Sequence, residues 1–196
     1  MIGFLQGRLV VKQPPQLLID VGGVGYELEA PMSTFYSLPA VGESLRLLTH
    51  LSIREDAHVL YGFVTDAERR LFRGLLKVSG VGPRIALAIL SGISVEAFAQ
   101  CVQAQDYAAL TRVPGVGRKT AERLVVEMRD RLQALASEPA FNADVPMGAE
   151  GEAFSALVAL GYKAAEATRL IKAASPGQGS TEELIRRALQ GAAREA

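Results

Sequence analysis

The chain has 196 residues, 49% of them hydrophobic, which allows one large domain or two to three small ones and excludes disorder along its whole length. Its 21 basic and 21 acidic side chains cancel, so any affinity for a charged partner must come from a local excess. A single cysteine excludes an internal disulfide or a cysteine-ligand cluster, and no apolar run approaches the roughly 18–20 residues of a membrane span.

The N-terminal stretch MIGFLQGRLVV lacks a charged region ahead of an apolar run, so no signal peptide is expected, and the chain reads as cytoplasmic. LQGRLVV is instead the first of five strand patterns. LLIDVGGVGYELEA places Leu17, Ile19 and Val21 on one face, turns at glycines, then places Tyr26, Leu28 and Ala30 on one face against Glu27 and Glu29. Period-two alternation around a glycine turn predicts a hairpin. Pro14-Pro15 marks the turn before it. LRLLTHLSI alternates through Leu45, Leu47, Leu51 and Ile53, and HVLYGF supplies the fifth strand. Five short strands within residues 1–63 fit a small Greek-key barrel of the OB type, with a five-stranded open sheet as the alternative. The turn between the last two strands is REDA, with Glu55 and Asp56 side by side after Arg54. Read alone it is a solvated loop tip. His50 and His58 sit eight apart on strand patterns, where a structural role outweighs a zinc site.

From residue 64 the pattern changes to helices. Thr65 followed by Glu68 forms a capping box ahead of DAERRLFRGLLK. KVSGVGPRIALAIL, 77–90, then aligns without gaps on RVPGVGRKTAERLV, 112–125, at an offset of 35. Val78/Val113, Gly80/Gly115, Val81/Val116, Gly82/Gly117 and Ala86/Ala121 are identical, and Lys77/Arg112 and Arg84/Lys119 keep their charge. Between the copies, VEAFAQCVQA is a helical pattern that should bury Cys101, and Asp106 can cap the helix leading into the second copy.

These turns are not nucleotide loops. A P-loop needs a glycine where Arg118 precedes Lys119-Thr120, and a dinucleotide fingerprint needs a third glycine where Thr120 stands, after a strand that is absent. What remains is a glycine turn at a helix start, where backbone N–H groups attract anions and nearby cations add charge. Helix, G-x-G turn, helix, twice over, resembles the helix-hairpin-helix DNA-binding module. A pair related by a pseudo-twofold suits the two phosphate backbones of a duplex, gripped from the minor-groove side. A plain αα-hairpin needs neither the repeat nor the charges. Charge follows the same division. Residues 1–63 hold 4 basic and 6 acidic side chains, residues 64–137 hold 11 and 7, and residues 138–196 hold 6 and 8. The neutral total therefore hides a basic middle, as phosphate binding requires.

SEPAFNADVPMGA, 137–149, has two prolines and no apolar periodicity, and reads as a flexible linker. Three helical patterns follow. EGEAFSALVALGY ends at the cap residue Gly161, KAAEATRLIKAAS comes next, and Ser180 with Glu183 caps the last. Among the apolar residues Leu157, Leu160, Tyr162, Leu184, Ile185 and Leu189, some must form a small core, and the rest are free to form a docking face.

Five signatures in order, MIGFLQGRLVVKQPPQLLIDVGGVGYELEAP, REDAHVLYGF, SGVGPRIALAILSG, PGVGRKTAERLVVEMRDRL and LVALGY, make the chain resemble the RuvA family over nearly its whole length. The resemblance implies an α+β multidomain chain. Residues 1–63 would form an OB-type barrel, 64–136 an all-α tandem helix-hairpin-helix domain, 137–149 a flexible linker, and 150–196 a three-helix bundle like ubiquitin-associated domains. It implies a Holliday-junction-binding subunit, without catalytic residues or cofactor, acting in homologous recombination, DNA repair and the SOS response. Gly80, Gly82 and Arg84 with Gly115, Gly117, Arg118 and Lys119 would bind the duplex arms, joined by Arg54 and Arg123. Glu55 and Asp56 would form an acidic pin at the axis of a homotetramer, or of an octamer on DNA, keeping the junction open and square-planar. The six apolar C-terminal residues would dock the hexameric RuvB ATPase, with the RuvC resolvase in the same complex. Arginine at 84 and 118 departs from the lysine frequent in the family, keeping charge but not geometry.

Enzymatic alternatives lack residues. A glycosylase of this module needs a catalytic aspartate well downstream of the hairpin lysine. Asp130 lies only eleven past Lys119, on a charged helix face, where an ion-pair role fits better. A nuclease needs grouped carboxylates for metal, and Glu55 and Asp56 have no evident third partner. An adaptor that binds duplex without junction preference is the remaining competitor.

Overall fold

The computed structural model describes residues 2–55, 57–137, 148–174 and 180–195. They fall into two compact units, one up to Ser137 and one from Gly148 onward.

The first unit begins with a closed barrel of five strands in the order β1-β2-β3-β5-β4. These are β1 (Phe4–Gln13), β2 (Gln16–Val21), β3 (Val24–Glu29), β4 (Ser44–Ile53) and β5 (His58–Phe63). Closure, rather than an open sheet, follows from the two long strands, each of which serves two neighbours. β1 pairs with β4 through Phe4–Arg8 and with β2 through Arg8–Gln13. β4 pairs with β1 through Ser44–Leu48 and with β5 through Leu48–Ile53. A parallel pairing of β3 with β5 completes the ring. β1 must curve hard to change partners. A register shift between Leu9 and Val11 and a glycine at 7 permit this, since a Cβ there would run into the carbonyl of Asp20. Leu5, Leu9, Leu17, Ile19, Leu28 and Leu47 fill the barrel. The alternation in β4 holds at Leu45 and Leu47 but fails at its end. Ile53 is 66% exposed, because the β4–β5 hairpin runs on past the barrel.

The sequence pattern did not reveal α1 (Met32–Ser37), a six-residue helix between β3 and β4 that buries Thr34 and Phe35. Its neighbours explain it: the Met32 N–H donates to Ser91 Oγ at 3.0 Å, and Ser33 Oγ donates to Glu68.

The helices α2 (Asp66–Leu75), α3 (Pro83–Gly92), α4 (Val95–Ala104), α5 (Tyr107–Thr111) and α6 (Arg118–Ser137) follow. Thr65 and Glu68 form the anticipated capping box, and Asp106 Oδ1 accepts from the Ala109 N–H at 2.9 Å. Barrel and helices share a core, because Tyr61 and Phe63 of β5 pack with Phe72 and Leu75 of α2 rather than inside the barrel. A boundary at residue 63 therefore separates elements but not cores. Cys101 is half-buried at the edge of this core, not enclosed, since α4 turns its far side outward.

The second unit packs α7 (Ala149–Ala159), α8 (Ala164–Ala174) and α9 (Thr181–Glu195) around Ala153, Leu157, Ala167, Leu170, Leu184 and Ala188. α7 ends in a Schellman turn. Gly161 has φ +99°, its N–H donates to the Val158 carbonyl at 3.0 Å, and the Tyr162 N–H donates to the Leu157 carbonyl at 3.2 Å. Ser180 Oγ accepts from the Glu183 N–H at 3.4 Å. The linker expected at 137–149 is shorter at both ends, because Ser137 closes α6 and Ala149 opens α7. Its centre, 138–147, lies outside the described residues. No single helix among the described residues is long and apolar enough to cross a membrane.

Candidate nucleic-acid interface

The two glycine turns repeat bond for bond. In the first, the Val78 N–H donates to Leu75, Val81 to Val78 and Ala86 to Gly82, at 3.0 Å each. In the second, Val113 donates to Leu110 at 3.2 Å, Val116 to Val113 at 3.0 Å and Ala121 to Gly117 at 2.9 Å. Gly80 and Gly115 have φ of +85° and +88°, a left-handed conformation that glycine adopts without strain. Gly82 is the N-cap of α3, with φ −90° and no side-chain cap. The valines of each turn plug the shared core, as do Ala86 and Ala121. The burial of these apolar residues holds the glycines outward, where both pairs are exposed.

The hairpins also touch each other. Arg123 of α6 reaches back so that its Nη1 donates to Ser79 Oγ at 3.4 Å, beside Gly80. Ile85 of α3 lies against Gly115. Each second helix thus packs at the other copy's turn, as an approximate twofold demands. Among the predicted cations, Arg54, Arg84, Arg118, Lys119 and Arg123 are all exposed. Arg84 and Lys119 have no ion-pair partner among the described residues. Arg118 differs: its Nε donates to Glu122 Oε1 at 3.1 Å. Neither Ser79 nor Glu122 stands out in the sequence reading. Ser79 carries no charge to notice, whereas the spacing of Glu122, four after Arg118, was a usable signal.

The β4–β5 turn closes with the Arg54 N–H donating to the Ala57 carbonyl at 2.9 Å. Glu55 is exposed on it, and Asp56 lies outside the described residues. Arg54 and Arg84, thirty residues apart, line one groove of about 760 Å³ between barrel and α3, together with Glu29 and Tyr61. Burial raises the Tyr61 phenol pKa, Glu29 adds to the shift and Arg54 opposes it. The phenol therefore stays protonated and neutral at the groove's edge. No group of three or more His, Cys, Asp or Glu side chains among the described residues is placed to hold a metal ion. The Asp130 side chain is outside the described residues. His50 is an acceptor at the barrel–helix seam, taking a hydrogen bond from Arg73 Nε to Nδ1 at 3.3 Å.

In the second unit the six apolar candidates separate by burial. Leu157 and Leu184 are core residues, Tyr162, Ile185 and Leu189 are half-buried against it, and Leu160 is 61% exposed.

Comparison with known proteins agrees with this architecture. Residues 1–62 match the RuvA N-terminal domain, 72–130 the SAM-like helix-hairpin-helix tandem, and 148–193 the RuvA C-terminal domain. The chain is 56% identical over 201 residues to the Holliday junction branch migration complex subunit RuvA of Pseudomonas putida, covering 97% of this chain and 98% of that one. It is 56% identical to the protein of the same name from Methylococcus capsulatus, covering 99% of this chain and all of that one. It is also 56% identical, over 209 residues, to that of Alkalilimnicola ehrlichii, with the same coverage.

Proposed function

The chain belongs to the RuvA family, and from that premise we propose that it is the non-catalytic, Holliday-junction-binding subunit of a branch-migration complex. The observation that carries this reading is the repeated turn, two identical hydrogen-bonded frames with outward glycines and cations on each. In each frame the backbone N–H groups at a helix start attract an anion, and the open space at Gly82 and Gly117 lets a phosphate approach without a side chain in its way. Gly80, Gly82 and Arg84 take one backbone of a duplex arm, and Gly115, Gly117, Arg118 and Lys119 take the other. Arg123 braces the first turn through Ser79 and adds charge beside it.

Four copies about a fourfold axis match the four arms of a junction. In such a homotetramer, or in two facing as an octamer, the β4–β5 turns meet at the centre. Glu55 and Asp56 then gather about eight carboxylates there, which repel phosphates from the axis while the hairpins attract them further out. The balance favours an open, square-planar junction and parts strands as they pass. Arg54, beside the acids, holds a backbone phosphate at the edge of the repulsive zone. The sequence contains no phosphate loop for ATP, so motion is driven by the RuvB ATPase, docked on the second unit. The exposure of Leu160 supports it as the centre of the docking face, with the half-buried Tyr162, Ile185 and Leu189 at its margin. The RuvC resolvase joins the same assembly, in the cytoplasm.

A salt titration by gel shift tests the reading, comparing a four-way junction with a linear duplex of equal length. Phosphate contacts weaken linearly in log salt, so more simultaneous contacts give a steeper slope and tighter binding at low salt. The expected result is junction binding at salt concentrations where the duplex is released. Equal affinity for both would reduce the protein to a duplex-binding adaptor. Replacing Glu55 and Asp56 with Gln and Asn should keep or tighten junction binding while altering strand separation, and a large loss of affinity would defeat the repulsion account.

A further inference from the structure

The two hairpins share a frame but not their first helical residue. The first copy opens α3 with Pro83 and has Leu87 four residues on, both on the wall of the groove beside the barrel. The second copy has Arg118 and Glu122 at those positions, joined by a 3.1 Å ion pair. The side chains are 89% and 51% exposed.

That pair is poorly arranged for the helix itself. An arginine in the first turn meets the positive end of the helix dipole. Helices prefer the acid N-terminal to the base at this spacing, and here the order is reversed. Exchanging the two residues would suit α6 better, and an exposed ion pair adds little stability in either order. A local preference broken without gain in the fold marks a residue kept for another purpose. The contact itself shows the purpose. Glu122 takes the Nε–H of Arg118, not the terminal nitrogens. A guanidinium has five donors in a planar fork, so this leaves the Nη1 and Nη2 edge for a second, bidentate acceptor. The two side chains line a shallow hollow with Tyr107, Ala108 and Thr111, next to the exposed turn at Gly117.

We propose that Glu122 is a positioning residue for DNA binding: it holds Arg118 by Nε and presents the free fork to one backbone phosphate at the second hairpin. The proposal deepens the junction-binding reading and rests on it. An unheld arginine is a mobile charge that attracts any phosphate. A held one demands a phosphate at a fixed place, so this hairpin gains selection by geometry that the first copy lacks. The carboxylate also repels DNA on its own account, and that opposition makes the idea testable by sign.

The experiment measures junction affinity of the full-length protein for four forms: unmodified, Glu122→Gln, Arg118→Ala, and both together. Thermal unfolding of each confirms an unchanged fold. Removing Glu122 should weaken binding by about fivefold when Arg118 is present. It should tighten binding when Arg118 is absent, because only repulsion is left to remove. Tightening in both backgrounds would make Glu122 a plain repulsive charge and overturn the proposal. So would no change in the first background, or weakening in both. If the unmodified protein shows no junction preference, the junction reading itself fails, which is a separate outcome from any of these.

Discussion

The two glycines of each hairpin differ in backbone conformation, and alanine substitution separates their proposed roles. Gly80 and Gly115 sit at φ +85° and +88°. A Cβ there meets only ordinary contacts, Arg123 Nη1 at 3.9 Å and Ile85 Cγ1 at 3.5 Å, so the cost is conformational rather than a clash. A non-glycine residue in that region costs about 1–2 kcal/mol. Reduced freedom in the unfolded chain returns about 0.4–1 kcal/mol. The net is about 1 kcal/mol per site, and for a unit of this size a fall in Tm of about 3–5 °C each. Gly82 and Gly117 lie outside the left-handed region, and a methyl group added to either would meet no atom within 4 Å. For Gly82→Ala and Gly117→Ala, the loss of a glycine N-cap and the reduced freedom of the unfolded chain offset to within about 0.5 kcal/mol. Yet these are the positions where a phosphate would come closest. The double variant should therefore unfold like the unmodified protein and lose about tenfold or more in junction affinity, an effect of about 1.4 kcal/mol. Calorimetry and gel shift on the same preparations provide both numbers. Unchanged affinity in Gly82→Ala/Gly117→Ala would refute close backbone approach. Undiminished Tm in Gly80→Ala/Gly115→Ala would refute the conformational account.

The barrel–helix seam should respond to pH through His50. Burial, then Arg73 and Arg69, lower its pKa from 6.5, so the unfolded chain takes up a proton more readily than the folded one. Stability contributed by neutral His50 is present above pH about 6.5 and declines as pH falls through that value toward the lower folded pKa. Chemical denaturation at pH 7.5 and 5.5 should show a larger loss for the unmodified protein than for His50→Gln, and equal losses would sink the assignment. In the second unit, Leu160→Ser should leave stability within about 0.5 kcal/mol and junction binding intact while reducing stimulation of the partner ATPase. Leu157→Ala, in the core, should instead cost about 2–5 kcal/mol and unfold that unit, seen as loss of its helical signal. Full ATPase stimulation by Leu160→Ser would remove this residue from the docking face.

Much of this protein is legible in sequence because its signals are local. The repeat at offset 35 specifies the two turns, and each turn's paired valines are the residues buried. The capping box at Thr65 and the glycine stop at 161 are likewise decided within a few residues. What the sequence conceals depends on distant partners. The α1 segment has too few residues for helical periodicity, and its anchors are Ser91 and Glu68, 59 and 35 positions away from their partners. Tyr61 and Phe63 alternate like barrel residues but face a helix. Ile53 continues a pattern beyond the core that would bury it. For the site, charge and glycine marked the exposed atoms, but the pairing of Arg118 with Glu122 and of Arg123 with Ser79 needed side-chain positions.

The seam between barrel and helices gives these separate parts a common frame. Asp66 accepts from Arg69 Nε and Nη2 at 3.1 and 2.6 Å, and pairs with Arg70 at 2.7 Å. Arg69 Nη1 crosses to the Gly3 carbonyl at 2.9 Å, and Arg73 crosses to His50 and to the Thr49 carbonyl. A buried ion pair adds little net stability compared with apolar packing, because both charges lose water. Its directionality is what apolar packing lacks. The ring contacts of Phe72 with Tyr61 and Phe63 have no donor and acceptor to align, whereas the Arg69 guanidinium is shared between a carboxylate and a carbonyl in set directions. His50 is on β4, the strand that leads into the turn carrying Arg54 and Glu55. α2, which provides all three arginines, leads into the first hairpin. Fixing β4 on α2 therefore fixes the acidic turn relative to the first pair of glycines. Under the proposed function, repulsion at one and attraction at the other act on the same DNA strand, which requires that separation to be held constant.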